Sequence, residues 1–335
     1  MIERKSKFVI LYVYFSVHAI LTIANVYLPV YYFNVLKVSP LDLAKILVFS
    51  YFALILKPLF AVLVDKKVQK RGLKWMLPLG SCLLVAGFFS LISTLEVLVL
   101  FGVFLGVNFA VISLIDVAID KVIVLKSDDD KERARNSTYM HVGTMAGAIT
   151  TNLLFFMLYP GTISIAFFRF FFMVAFFLVV PLIPIVLLLR PEIPLREKQE
   201  EAVQADPLDV KALALFAVSL FLVSASQIYQ YPLEPWIVDN FGEDAFSLYS
   251  FYLIIFILIN ALGVVTAGAV LHKFDKRKVS IVNIALSGLI FIVLPFQAFT
   301  WFLVLIGLAQ IFNGVMVVAM MSITCIDSCR IRPAA

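Results

Sequence analysis

Asn108-Phe-Ala-Val-Ile-Ser-Leu-Ile-Asp116-Val-Ala-Ile-Asp120-Lys121 closes a long apolar run with two carboxylates four residues apart, just ahead of a charged loop. An acid inside such a run is expensive in hydrocarbon, so these two positions mark a functional region. Working outward, apolar stretches recur along the whole chain. Each is roughly 20 residues long, enough to cross about 30 Å of hydrocarbon as a helix. Hydrophobic residues make up 62% of the 335 and charged residues only 15%, against about 25% charged in a soluble domain. Mean hydropathy is +1.02. Barrel strands would be shorter and alternating, and none is visible. The composition therefore specifies a polytopic all-α membrane protein.

The pattern gives ten spans: 8–33, 41–64, 73–93, 96–124, 137–159, 163–190, 211–239, 246–272, 279–297 and 300–326. The net charge of +5 is a topology signal rather than a nucleic-acid signal, because Lys and Arg crowd alternate short loops. Arg4, Lys5 and Lys7 precede the first span; Lys66, Lys67, Lys70, Arg71 and Lys74 come after the second. The intervening loops are nearly free of positive charge, Lys37 being the main exception. Basic loops face the cytoplasm, which puts the N-terminus inside, in a plasma-membrane protein. The first apolar run is too long for a cleaved leader and lacks a small-residue cleavage site. Asn136-Ser-Thr matches a glycosylation sequon but falls on the inner side. Of three cysteines, Cys82 lies in a span, and Cys325 and Cys329 share a helix face without further ligands for a metal.

The polar stretch 191–210 divides an N-terminal six-helix half, 1–190, from a C-terminal part, 211–335. Long inner linkers between repeated halves are common in transporters. A shift of about 206 residues lays Leu28-Pro-Val-Tyr-Tyr-Phe-Asn34 over Glu234-Pro-Trp-Ile-Val-Asp-Asn240. It also brings Asn108 near Asn313 and Asp120 near Asp327. The shift sets Ala335 against the loop after the fourth span, so we expect the second half to be incomplete, with four helices.

The segment Lys57-Pro58-Leu-Phe-Ala61-Val-Leu-Val-Asp65-Lys-Lys-Val-Gln-Lys-Arg71-Gly72 resembles the signature between helices 2 and 3 of the major facilitator superfamily. The resemblance implies that Asp65 and Arg71 latch the inner face, with Asp275 the counterpart in a degenerate second copy. Ala61 replaces the usual glycine. Asp116-Val-Ala-Ile-Asp120, the loop Glu132-Arg-Ala-Arg135-Asn136 and Gly143-Thr-Met-Ala-Gly147 look like the group of AmpG-like muropeptide permeases, acetyl-coenzyme A transporters and folate–biopterin transporters. Asp130-Lys-Glu-Arg is also similar to sodium-coupled sugar symporters, but those carry acids within helix 2, and none lies between Asp42 and Asp65. In the superfamily, helices 5 and 8 meet between the halves, which implies a sliding interface at Gly143, Gly147, Gly263, Ala267 and Gly268.

Lys57 and Asp116 each lie eight residues from the inner end of a span, about 12 Å at 1.5 Å per residue. Equal depth permits an ion pair. Such a pair either fixes packing or exchanges partners to couple protons to transport. Asp120, one turn nearer the water, reads as part of the inner latch. His18 and Asn25 are seven apart and share a face of helix 1; a lone histidine either titrates near neutrality or, more often, simply packs. Gln227, Gln230 and Glu234 share a face of helix 7, where Pro232 and Pro235 break the outer end. With Asn108, Asn152, Asn260 and Asn313 they form a set of polar groups for a hydrogen-bonding solute; the alternative is interhelical bonding. Arg169 reads as a snorkelling cation.

Taken together, the residues favour a secondary transporter moving a small organic solute by alternating access, coupled to protons or else sodium, without cofactor or nucleic acid, as a monomer in the bilayer. The alternatives are a sodium-coupled sugar symporter, a membrane-embedded transferase and an inactive transporter fragment. His18, His141 and His272 lie on different helices with no acid at catalytic spacing, against an enzyme.

Overall fold

The computed structural model describes residues 4–55, 57, 59–60, 70–126, 130–188, 230–270 and 276–330. Among them every regular element is helical. Helix α1 runs as Arg4–Thr22, then as a π-helical turn Ile23–Tyr27, then Leu28–Val30 and a second π turn, Tyr31–Val35. After it come α2 (Pro40–Ile55), α3 (Lys70–Ser93), α4 (Leu98–Lys126) and α5 (Asp130–Leu158). Helix α6 is Ile165–Val179, continued after a turn by Leu182–Leu188. The remaining helices are α7 (Gln230–Phe241), α8 (Glu243–Val270), α9 (Lys276–Val293) and α10 (Phe299–Arg330).

Six of these helices are long and apolar enough to cross a membrane: Lys7–Val35, Trp75–Ser93, Leu98–Lys121, Tyr139–Leu158, Ile165–Leu188 and Glu243–Ala267. Ile281–Phe296 and Phe299–Val315 are shorter apolar helices. The expected spans 41–64 and 211–239 run into residues outside the description, as does the linker 191–210.

Helix ends obey local chemistry. The Ser39 hydroxyl accepts from the Asp42 amide at 3.2 Å and donates to its carboxylate at 2.7 Å. This satisfies an orphan donor at the start of α2. Ser164 caps α6 by accepting from the Phe167 amide at 3.1 Å. Gly242, with φ of 89°, makes the single-residue turn between α7 and α8, a conformation other residues adopt only under strain.

The helices group into two compact units. The first is Met1–Gln199 with Glu234–Asp239; the second is Glu200–Leu233 with Asn240–Ala335. In the first, α1 packs along α5, while α2 and α3 both pack on α4. In the second, α8 and α9 both pack on α10. The second unit thus repeats the α2–α4 and α3–α4 pairings of the first, in the order that the sequence shift requires. The first unit's core is aromatic around the C-terminal part of α1. Tyr27 stacks on Phe155 with ring centroids 4.4 Å apart, Tyr31 meets the Phe168 edge at 5.2 Å, and Tyr32 meets Phe101 at 5.1 Å. All six rings are fully buried.

The glycines explain the close helix pairs. A Cβ on Gly143 would stand 2.3 Å from the Leu11 carbonyl oxygen, and one on Gly147 2.2 Å from that of Phe15. A Cβ on Gly263 would stand 2.6 Å from the Ile311 carbonyl, and one on Gly314 2.4 Å from that of Asn260. The small residues read as a sliding interface between helices 5 and 8 are therefore used within each unit, α5 against α1 and α8 against α10. Small residues let backbones approach without lost packing.

A Cβ at Gly147 has only backbone to displace. We expect Gly147→Ala to lower unfolding stability by about 1–3 kcal/mol through overpacking. Gly288→Ala, where an added Cβ meets nothing within 4 Å, should leave stability unchanged or raise it by up to about 1 kcal/mol through helix propensity. Thermal unfolding of the two purified variants in detergent separates them; equal midpoints would contradict this packing.

Candidate functional site

Asp116 and Asp120 share one face of α4, being a turn apart. Lys57, just beyond α2, reaches both. Its ammonium pairs with Asp116 Oδ2 and lies 3.5 Å from Asp120 Oδ2. From α1, the buried Tyr14 hydroxyl donates to Asp116 Oδ1. His18, one turn further along α1, stacks on Tyr14 with centroids 6.4 Å apart and lies in the electrostatic field of Asp116 and His141. Helices α1, α2, α4 and α5 thus converge on one cluster. It sets one ammonium against two carboxylates, a net formal charge of −1.

Depth alone separates Asp120 from the Lys57–Asp116 pair, yet the structure joins all three, because a lysine side chain is long enough to span one helical turn. Tyr14 is the member that sequence reasoning missed. A tyrosine in a span reads as apolar, but its hydroxyl still requires a partner when buried; the signal was its place one turn before His18.

The polar residues read as a solute cavity are more dispersed. Asn152 is buried and accepts a 2.7 Å hydrogen bond from the Tyr27 hydroxyl. Asn108 is buried against Gly87 of α3, donates to its own helix at the Phe104 carbonyl, and leaves Oδ1 without a partner. In the second unit Asn260 donates to the Gln310 carbonyl at 3.1 Å, and Asn313 Oδ1 is buried without a partner. Asn25 is half-buried inside the first π turn of α1. That turn is wider than an α-helical one, and Asn25 sits in its middle. Glu234, on α7, is 2% exposed, and its Oε2 has no partner.

Gln227, Asp65 and Asp275 lie outside the described residues, and for Gln230 and Arg71 only the backbone is described. Arg169 does not merely snorkel: it donates to Glu96 Oε1 at 2.7 Å, across to the α3–α4 turn. A void of about 10 Å³ inside the first unit, lined by Ile20, Ile23, Phe88, Leu105 and Phe172 among others, is apolar and too small for a solute.

A family model described as Major Facilitator Superfamily matches residues 10–328. Among solved structures, the nucleoside transporter NupG aligns with a TM-score of 0.73 at 16% identity, over 98% of this chain and 82% of that one. A D-xylose-proton symporter aligns with a TM-score of 0.68 at 15% identity, over 99% and 83%. An inward-facing bacterial homolog of the human lysosomal transporter Spinster gives 0.65 at 13%, over 95% and 72%. At these identities the likeness is one of fold. Comparison with curated protein sequences gave no match.

Removing the shared cation leaves two carboxylates facing each other. Lys57→Met should destabilise the fold by an amount between the about 1 kcal/mol of an exposed pair and the about 3–5 kcal/mol of a buried one, since the Lys57 side chain is 42% exposed and that of Asp116 26%. Adding Asp116→Asn should recover part of the loss. A thermal-unfolding double-mutant cycle checks this; strictly additive losses would mean that the pair is energetically idle.

Proposed function

The chain belongs to the major facilitator superfamily, and on that premise we propose that it drives a small polar organic solute across the plasma membrane by proton-coupled alternating access. It is a multi-pass transporter and not an enzyme. The observation that carries the coupling is the Lys57 ammonium shared between Asp116 and Asp120 inside the bundle.

Partner exchange supplies the mechanism. A proton arriving from water neutralises the Asp116 carboxylate and removes its hold on Lys57. The ammonium then settles on Asp120, one turn nearer the inner side. Tyr14 donates to Asp116 in its ionised form, and a neutral Asp116 turns its own proton toward another acceptor. Departure of that proton on the other side restores the first pairing. Helix 2 and helix 4 therefore have two alternative electrostatic registers, which is what a two-state transporter requires.

In this reading His18, Asn25 and Asn313, with Gln227 and Gln230, bind the solute, and Glu234 joins them only in a state that unseals it. Asn108, Asn152 and Asn260 serve it only in a state that releases their present contacts. Asp65, Arg71 and Asp275 latch the inner face, joined by Asp120 when it holds Lys57. The protein works as a monomer with ten spans and a cytoplasmic N-terminus. The residues 116–147 and Lys57-Pro58 support placement beside the muropeptide, acetyl-coenzyme A and folate carriers. The nucleoside and D-xylose named for the fold relatives widen the set of solutes to try.

Reconstitution into liposomes tests this. Folates, muropeptides, acetyl-coenzyme A, nucleosides and D-xylose are offered with an imposed inward proton gradient. Accumulation of one solute, collapsed by a protonophore and indifferent to replacing sodium with choline, is the expected result. Accumulation that requires sodium, or none with any solute, would overturn it. With the solute in hand, Asp116→Asn should reduce accumulation to simple equilibration while exchange across the membrane persists at a near wild-type rate.

A further inference from the structure

Glu234 differs from the other acids of the first unit whose side chains are described. Asp42 is held by Ser39 and Lys45, Glu96 by Arg169, Asp116 by Tyr14 and Lys57, Asp120 by Lys57 and Asp239 by Asn34. Glu234 is 2% exposed, its Oε2 has no hydrogen-bond partner, and no described cation pairs with it. It is also the most thoroughly shielded of these groups: the side chains of Asp116 and Asp120 remain 26% and 48% exposed.

An ionised carboxylate sealed in this way has no countercharge among the described residues, and the one hydrogen bond it takes, from its own backbone amide, offsets only part of its desolvation. The neutral acid avoids most of that cost. The neighbouring chain supplies a reason of its own. Pro235 lies inside α7 and has no N–H, so the carbonyl of Tyr231 lacks its helical donor. Helical side chains lean toward the preceding turn, which places the Glu234 carboxyl over that turn. A neutral carboxyl can donate its O–H to the orphaned carbonyl. A carboxylate, which only accepts, would repel it.

We propose that Glu234 is a proton-carrying site distinct from the Lys57–Asp116–Asp120 cluster, holding a neutral carboxyl while the segment Glu234–Asp239 is seated in the first unit. The bound species is H⁺, taken from water onto the carboxylate and returned to water when the segment opens; no covalent bond in the solute changes. The proposal shares the transporter premise but not the coupling role of Asp116.

Infrared spectroscopy of the purified full chain at neutral pH reads the proton directly, without a solute. We expect a protonated-carboxyl C=O band that moves on uniform labelling with carbon-13 glutamate, and that is lost in Glu234→Gln. Absence of any glutamate-derived band from the labelled wild type would overturn the proposal, whether or not the variant folds. So would a band that survives in Glu234→Gln. Thermal stabilisation of the wild type by the amine probe putrescine, abolished in Glu234→Gln, would also overturn it, since the charge would then come from a cation. Asp116→Asn should retain the band. Loss of coupled uptake in that variant with the Glu234 band intact separates the two sites.

Discussion

Hydrocarbon gives a backbone amide nothing to bond to, so each span must close its own hydrogen bonds, and any polar side chain it carries must find a partner in the protein. The described spans obey this rule closely. Ser81 donates to Leu77, Ser93 to Phe89, Thr151 to Gly147, Ser250 to Phe246 and Thr266 to Leu262, each to the carbonyl four residues back. Asn108 and Asn283 do the same with their amides. Polar residues treated in this way cease to be available to a solute. Among the described residues the exceptions are the Lys57 cluster, where charges pair with one another, and the buried oxygens of Ser16, Tyr31, Asn34, Asn108, Glu234 and Asn313 that have no partner.

The helical membrane class was legible because apolar length answers to the same physics as the fold. The internal repeat was legible for a related reason. Two units that bury helices in the same order reuse similar segments, and Leu28-Pro29 and Glu234-Pro235, the latter inside an unbroken α7, are such a pair. The Lys57–Asp116 pairing could be read from depth alone, since rise per residue is fixed.

The features that stayed hidden depend on direction rather than depth. Small residues at 143 and 147 announce a close approach but not which helix approaches; the answer, α1, comes from packing. Amides at 108 and 152 look like a shared cavity until their rotation about the axis is known. One then faces Gly87 and the other Tyr27. Tyr14 was invisible because its ring satisfies an apolar pattern while its hydroxyl serves Asp116.

The two π turns of α1 carry a consequence of another kind. Each inserts one residue into a continuous helix, and neither changes the chemistry of the inner end, where Tyr14 and His18 meet the charged cluster. A single-residue deletion in Ile23–Tyr27 would return that turn to regular α-helix, with Tyr14 before it and Tyr31 and Tyr32 after it keeping close to their present directions. Helix 1 can thus change length at the turn itself, while the buried faces on either side, Tyr14 before it and Tyr31 and Tyr32 after it, stay fixed by their partners.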